Sequence, residues 1–301
     1  MTNLIESFKN NNLKGKYLNI MVKHGHEVDL EYSKNIIVDK INDFDINTIV
    51  HRARIISQKI LHNYKDFNLL TIDKFTNKVI RSFSNELGIS TITFFHPQSN
   101  SLPSFLLNKL AQTIEDAGLD NKTKVIKLQS GGDRTFCAGA SFDELQSIEN
   151  IEEGIAFFSG FAKVINAARK CPKLIVGRVQ GKAVGGGVGL ASAVDYCFAT
   201  KYAAVKLSEL AIGIGPFVVG PAVQRKVGLS AMSTLAIDAT SWYSAEWAKE
   251  KGLYASIYDT SEEMDDAIQK LCLKLALSHE SATLELKKIF WEGPENWDNL
   301  L

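Results

Sequence analysis

Two glycine-bearing loops and one carboxylate carry the chemistry that can be read in this sequence. The first loop is Asp133-Arg134-Thr135-Phe136-Cys137-Ala138-Gly139-Ala140-Ser141; the second runs Val179-Gln180-Gly181-Lys182-Ala183-Val184-Gly185-Gly186-Gly187-Val188-Gly189-Leu190-Ala191. Each places glycines between a strand and a helix, where backbone stripped of side chains brings N–H groups close to a ligand. In the second loop the helix starts at or just after the glycines, so unpaired N–H groups and the positive end of the helix dipole converge there. Such a place holds developing negative charge. Two phosphate-binding readings fail. A GxxxxGK[ST] loop needs Lys-Ser or Lys-Thr after its glycines, and a GxGxxG fingerprint needs glycine where Leu190 stands. Glycines that serve only tight turns are the ordinary reading of any single run. Here two runs about 45 residues apart are followed by Glu209 in a third loop. Glu209 lies in an otherwise apolar stretch, where burial raises a carboxyl pKa toward that of a working base.

The elements that must position these residues alternate in type. Ser90 to Phe95 is a β-prone run ended by His96-Pro97, and Pro103 to Gly118 is an amphipathic helix opened by a proline. Strands follow at Lys124 to Leu128, Leu174 to Val179 and Tyr196 to Thr200, with helices expected at Ile155 to Ala168 and about Val188 to Val194. Helices at Ser244 to Lys251, Glu262 to Ser278 and Ser281 to Trp291 close the chain. Strand, helix, strand, helix in that order argues for an α/β layered fold.

Composition sets the outer bounds. With 34 Lys+Arg against 34 Asp+Glu and 45% hydrophobic residues in 301, the chain reads as globular and soluble, not disordered or collagen-like. Zero net charge gives no long-range electrostatic pull toward nucleic acid or membrane. The amino end lacks the apolar core of a signal peptide and no stretch approaches a membrane span, so a cytoplasmic protein is expected. Cys137, Cys171, Cys197 and Cys272 occur singly, without CxxC or Cys/His spacing, and read as buried small hydrophobes with no metal site.

From residue 89 onward the sequence resembles the crotonase superfamily, the enoyl-CoA hydratases and isomerases. The resemblance rests on five blocks in order: Ile92-Thr93-Phe94-Phe95-His96-Pro97 with Asn100-Ser101-Leu102; Phe136 to Ala140; Gly181 to Gly187; Ser208-Glu209 through Pro216 to Gln224-Arg225; and Ser244 to Leu253. It implies a ββα spiral core with C-terminal helices, and chemistry on an acyl-CoA thioester that passes through an enolate. The enolate oxygen would be met by the backbone amides of Ala140 and Gly186, and Glu209 would be the single acid/base. The family's hydratases usually carry a second glutamate where this chain has Gly189. That departure pulls toward double-bond isomerisation or one-carboxylate hydration and leaves decarboxylation or an inactive acyl-CoA-binding homologue as alternatives. Asp143 and Glu144 could reach the pocket as a substitute acid or simply start a helix, and Asp195 is expected only to close its helix. Coenzyme A, present as part of the substrate with no separate cofactor, would be met by Arg134, Ala138 and Lys287 or Lys288. A homotrimer or dimer of trimers is implied by resemblance only.

The first 88 residues differ in composition. They contain none of the six prolines, three of the 21 glycines, and 13 Lys+Arg against 10 Asp+Glu. Apolar residues at three- to four-residue spacing predict a helix-rich segment over residues 34–88. Ile55 to Phe67 and Leu70 to Phe83 resemble part of UvrD-type DNA helicases, including a Thr-Ile-Asp-Lys-Phe run similar to a motif that contacts single-stranded DNA. No Walker A sequence precedes them, so a motor is not expected. The expectation is a non-functional helicase fragment over residues 1–88 joined to a crotonase-like domain over residues 89–301 that has lost its first edge strand. Single-strand binding by the basic segment is the last alternative.

Overall fold

The computed structural model describes residues 87–293 and residue 297. The helix-rich segment, the helicase-like blocks and the question of a lost edge strand therefore lie outside the described residues, apart from the turn at Leu87 and Gly88.

Short runs of β-branched and apolar residues build the main sheet. Ile89–Phe94 (β1), Val125–Ser130 (β2), Leu174–Val179 (β4), Tyr196–Thr200 (β6) and Ser256–Tyr258 (β8) form a five-stranded sheet in the order β1-β2-β4-β6-β8. Every pair in it is parallel. A parallel sheet has both faces covered, and alternation along each strand sorts the cores. Ile89, Val125, Val176 and Phe198 point to one side, against Met264, Ile268, Cys272 and Ala276 of helix α7 (Ser261–Ala276). Ile92, Ile126, Leu128, Ile175 and Val179 point to the other, into the larger core with Leu107, Leu110 and Ile114 of α1 (Ser104–Leu119) and Phe161, Val164 and Ile165 of α3 (Ile151–Lys170).

A second sheet is small and parallel: Thr135–Cys137 (β3), Lys182–Val184 (β5) and Val205–Lys206 (β7), in the order β3-β5-β7. The chain alternates between the sheets. β2 leads into β3 and then α2 (Phe142–Gln146) and α3; β4 leads into β5 and then α4 (Gly186–Ala193); β6 leads into β7, a 3₁₀ turn at Glu209–Ile212 and α5 (Gly220–Ile237). Two strands and a helical segment make one turn of a spiral, repeated three times among the described residues. The α/β spiral with C-terminal helices, α6 (Ala245–Glu250), α7 and α8 (Glu280–Phe290), agrees with the expectation from sequence.

Two differences have physical causes. The small sheet has strands of two or three residues, too short to show a period of two, and it is held by register with its neighbours. Helix α5 is broken at Gly228 (φ 78°, ψ 163°), which splits its apolar spacing into two short runs. Helix starts follow their caps: Asn150 accepts a hydrogen bond from Glu153 N at α3, and Thr260 and Glu263 form a reciprocal capping box at α7.

Candidate active site

Parallel strands send all their carboxyl ends to one edge, and the three loops of interest leave β3, β5 and β7 at that edge. Cys137 pairs with Ala183, and Ala183 with Val205, so residues 138–141, 185–187 and 207–209 emerge side by side. This register brings together groups separated by up to 70 residues in sequence.

The first loop is stitched to the turn after β1. Leu102 N donates to Gly139 O (2.8 Å), Ser141 N donates to Leu102 O (3.1 Å), Ala138 N donates to Asn100 O (3.3 Å) and the Ser101 hydroxyl donates to Ala140 O (2.9 Å). Among the described residues the Ala140 amide has no acceptor. Asn100, 3% exposed and at φ 56°, anchors the turn: its Nδ2 donates to Gly131 O and Thr135 O, both at 2.9 Å, while its Oδ1 accepts from His96 N. Gln180 ties the same region from the β4–β5 corner, donating to Ser130 Oγ (2.8 Å), Gly132 O (3.1 Å) and Thr135 O (3.3 Å).

The second loop turns at Gly185 (φ 51°, ψ −116°), a conformation that a side chain rarely adopts. Its N–H donates to Lys206 O (2.9 Å), and its carbonyl accepts from Val188 N and Gly189 N, opening α4. The Gly186 amide, first in the helix, has no acceptor among the described residues. The two loops touch: a β-carbon on Gly139 would lie 3.2 Å from Val184 O and 3.6 Å from Gly186 N. Around the turn, a β-carbon on Gly186 would run into the Phe161 ring, and one on Gly189 would sit 2.6 Å from Val219 Cγ1.

Glu209 opens the 3₁₀ turn of the third loop. A β-carbon on Gly185 would lie 2.9 Å from Glu209 Oε1, which places the carboxylate against the glycine turn. Glu209 Oε2 is buried and has no hydrogen-bond partner among the described residues. Burial raises the Glu209 carboxyl above its ordinary pKa, opposed in part by a backbone hydrogen bond. The nearest side chains to Gly185, Gly186 and Gly189 are those of Glu209, Phe161 and Val219, and only Glu209 is titratable.

The remaining sequence-derived residues are placed differently. Arg134 is exposed at the entry to β3, and Ala138 is half-buried within the first loop. Lys288 is exposed and paired with Glu285 at 2.7 Å. Lys287 overturns the expectation of a phosphate contact. It is 2% exposed, its Nζ is 2.9 Å from Asp195 Oδ2, and it donates to Lys173 O at 2.8 Å. Its position explains why. Lys173 precedes β4, so Lys287 meets the amino end of that strand, opposite to the end from which the loops emerge. Asp195 likewise does more than close a helix: its carboxylate accepts from Ile175 N (2.7 Å) and Trp291 Nε1 (2.9 Å) as well as from Lys287. Glu144 accepts from Ser104 N (2.8 Å) at the start of α1, and Asp143 is exposed beside Gln98, so both serve local structure. Phe161, in helix α3, and Val219, in the turn before α5, had no signal in the sequence, because a lone apolar residue reads as core wherever it points.

The parallel two-sheet spiral, with its loops gathered at one strand edge, defines an α/β protein of the crotonase fold. The family model for enoyl-CoA hydratase/isomerase matches residues 84–297, and the chain belongs to that family. Similar proteins include the (7aS)-7a-methyl-1,5-dioxo-2,3,5,6,7,7a-hexahydro-1H-indene-carboxyl-CoA hydrolase of Rhodococcus jostii (strain RHA1), 29% identical over 201 residues, covering 65% of this chain and 74% of that protein. The mitochondrial methylglutaconyl-CoA hydratase of Mus musculus is 31% identical over 172 residues, covering 57% of this chain and only 54% of the hydratase. Among solved structures, an enoyl-CoA hydratase of Mycobacterium smegmatis superposes with a TM-score of 0.66 at 26% identity, covering 70% of this chain and 81% of that one. Pseudomonas aeruginosa DspI superposes at 0.65 with 25% identity, covering 70% of this chain and 86% of that one.

Proposed function

We propose that the protein moves a proton on an acyl-CoA thioester through an enolate, and that its reaction is double-bond isomerisation of a 3-enoyl thioester to the 2-enoyl form. The observation that carries this reading is the gathering of the Ala140 and Gly186 amides, without acceptors among the described residues, with one half-buried carboxylate, Glu209, whose Oε2 is buried and unpartnered there. Two amides aimed at a thioester oxygen stabilise the charge that develops there, an effect commonly worth about 3 kcal/mol per donor in a water-excluded site. Glu209 then removes the proton from Cγ or Cα and returns it to the other carbon. That cycle balances with one carboxylate and consumes no water.

Hydration is the second reading, favoured by the hydratase names among the relatives. Against it stands Gly189, in the place of the second glutamate of the hydratases: a β-carbon there would meet Val219 and Ile165, and among the described residues no acid is next to it to deliver a proton. Arg134 and Ala138, at the mouth of the first loop, are the proposed contacts for coenzyme A, with Lys288 a further candidate at the surface. An assay of 3-enoyl-CoA and 2-enoyl-CoA esters of graded chain length tests the proposal. The parent is expected to interconvert the double-bond isomers and Glu209→Gln to lose at least about a hundredfold in kcat, in keeping with the weight of a general acid/base. An inactive parent, or a Glu209→Gln variant of parental activity, would remove the proposal.

A further inference from the structure

Helix α4 begins at the proposed enolate contact, and its far end is closed by a charge from another element. All eight of its residues, Gly186 to Ala193, are buried, with no acidic group in the first turn and no basic group in the last. Left to itself, such a helix ends on carbonyls that neither water nor a side chain of its own can reach. Lys226, on α5, supplies what is missing. Its Nζ donates to the carbonyl of Val194, the C-cap of α4, at 2.9 Å and to that of Asp195 at 3.2 Å. Lys226 makes no ion pair with the Asp195 carboxylate, which Lys287, Ile175 N and Trp291 Nε1 engage; burial lowers the Lys226 pKa, and the nearby Asp195 charge acts in the opposite sense, toward the ammonium form. Arg225, next in sequence, stacks on Trp291 with its guanidinium carbon 3.9 Å from the ring centroid, leaving Lys226 to serve the helix.

We propose that Lys226 is a positioning residue for the enolate chemistry. Its ammonium group fixes the carboxyl end of α4 and adds positive potential along the helix axis, so the Gly186 amide at the opposite end meets the developing oxyanion in a fixed place. The inference rests on the proposed function. An eight-residue helix is about 12 Å long. A unit charge at that range in a medium of effective dielectric about 20 corresponds to about a tenfold change in rate. The effect belongs to the transition state, where the oxygen carries its charge, and binding of the neutral thioester should feel it much less.

The test compares the parent with Lys226→Met, Lys226→Gln, Lys226→Arg and Glu209→Gln. Two quantities are read: kcat and KM on a 3-enoyl-CoA ester, and the thioester carbonyl stretching band of bound butanoyl-CoA. Lys226→Met is expected to lose about tenfold in kcat with KM within about twofold, and its bound carbonyl band should move toward the free-ligand frequency. Lys226→Arg, which keeps charge and donors, should recover most of both. Lys226→Gln keeps a donor without the charge and covers the case in which the Met variant does not fold; it should also lose most of the effect. A Met or Gln variant with parental kcat and carbonyl band overturns the inference, as does loss of turnover with an unmoved band. A parent showing neither turnover nor a shifted band overturns the proposed function and this inference with it.

Discussion

Glu209 is half-buried, with its Oε2 out of reach of water, and this fixes two measurable pH dependences. Its pKa in the folded chain is raised by burial, so the ionised form costs more in the folded protein than in the unfolded one. The sign of the linkage follows. Below the unfolded pKa both states are protonated and nothing is lost; as pH rises above it the unfolded state ionises more readily, and stability falls until pH passes the raised folded pKa. Glu209→Gln removes that penalty. The variant should therefore be more stable than the parent in urea denaturation at pH 7 and no more stable near pH 4, while losing activity at both. In the parent, the acid limb of the kcat/KM profile should lie above the ordinary glutamate value of about 4.5, because the proposed base must be ionised to act. Glu209 itself was readable from sequence, as a lone acid in an apolar run. Phe161 and Val219, which press on Gly186 and Gly189, were not, since the feature that matters is which glycine they meet.

At the scale of elements, helix α8 is secured by charge as well as by apolar contact. Lys287 and Asp195 have side chains 3% and 4% exposed, and they join residues 92 positions apart. Removing one partner of such a pair leaves the other buried and unmatched, at a cost of about 3 to 5 kcal/mol. Lys287→Met should accordingly lower the unfolding free energy measured in urea by that amount, whereas Lys288→Met should leave it nearly unchanged, since the Lys288–Glu285 pair is on the surface. The contrast also shows why one of two adjacent lysines was misread. Residue type argues for exposure, and only the Asp195 carboxylate beneath α8 reverses it. Four of the five main-sheet strands were legible as short runs rich in apolar and β-branched residues, whereas β8, three residues long, was not. The strands β3, β5 and β7, on which the whole site depends, were not, because Val205–Lys206 or Lys182–Val184 carry too few residues to show a pattern.

At the scale of the molecule, the cysteines report on the integrity of the cores. Cys137, Cys171, Cys197 and Cys272 are all free and buried, and burial pushes the thiols of Cys137, Cys197 and Cys272 up to about 12. A thiolate is the reactive form, so the folded protein should be almost inert to a thiol-reactive chromophore at pH 8, and all four groups should titrate once the chain is denatured. Two of the four sit on opposite sides of the main sheet, Cys272 on α7 in the smaller core and Cys197 in the larger core, so their rates of reaction in mild denaturant should show whether the two cores open together. The reading of these cysteines as small hydrophobes held, because no ligand spacing competed with it.

One turn of the spiral supplies the Ala140 amide, the next the Gly186 amide and the third Glu209. The proposed catalytic function is therefore a conjunction of three turns, each contributing one part. On this proposal no single turn carries a weaker version of the site, and pieces of a chain cut between Ala140 and Glu209 and then separated should become active only on reassembly. During folding, binding competence should appear only once the last of the three turns has formed, whichever that is.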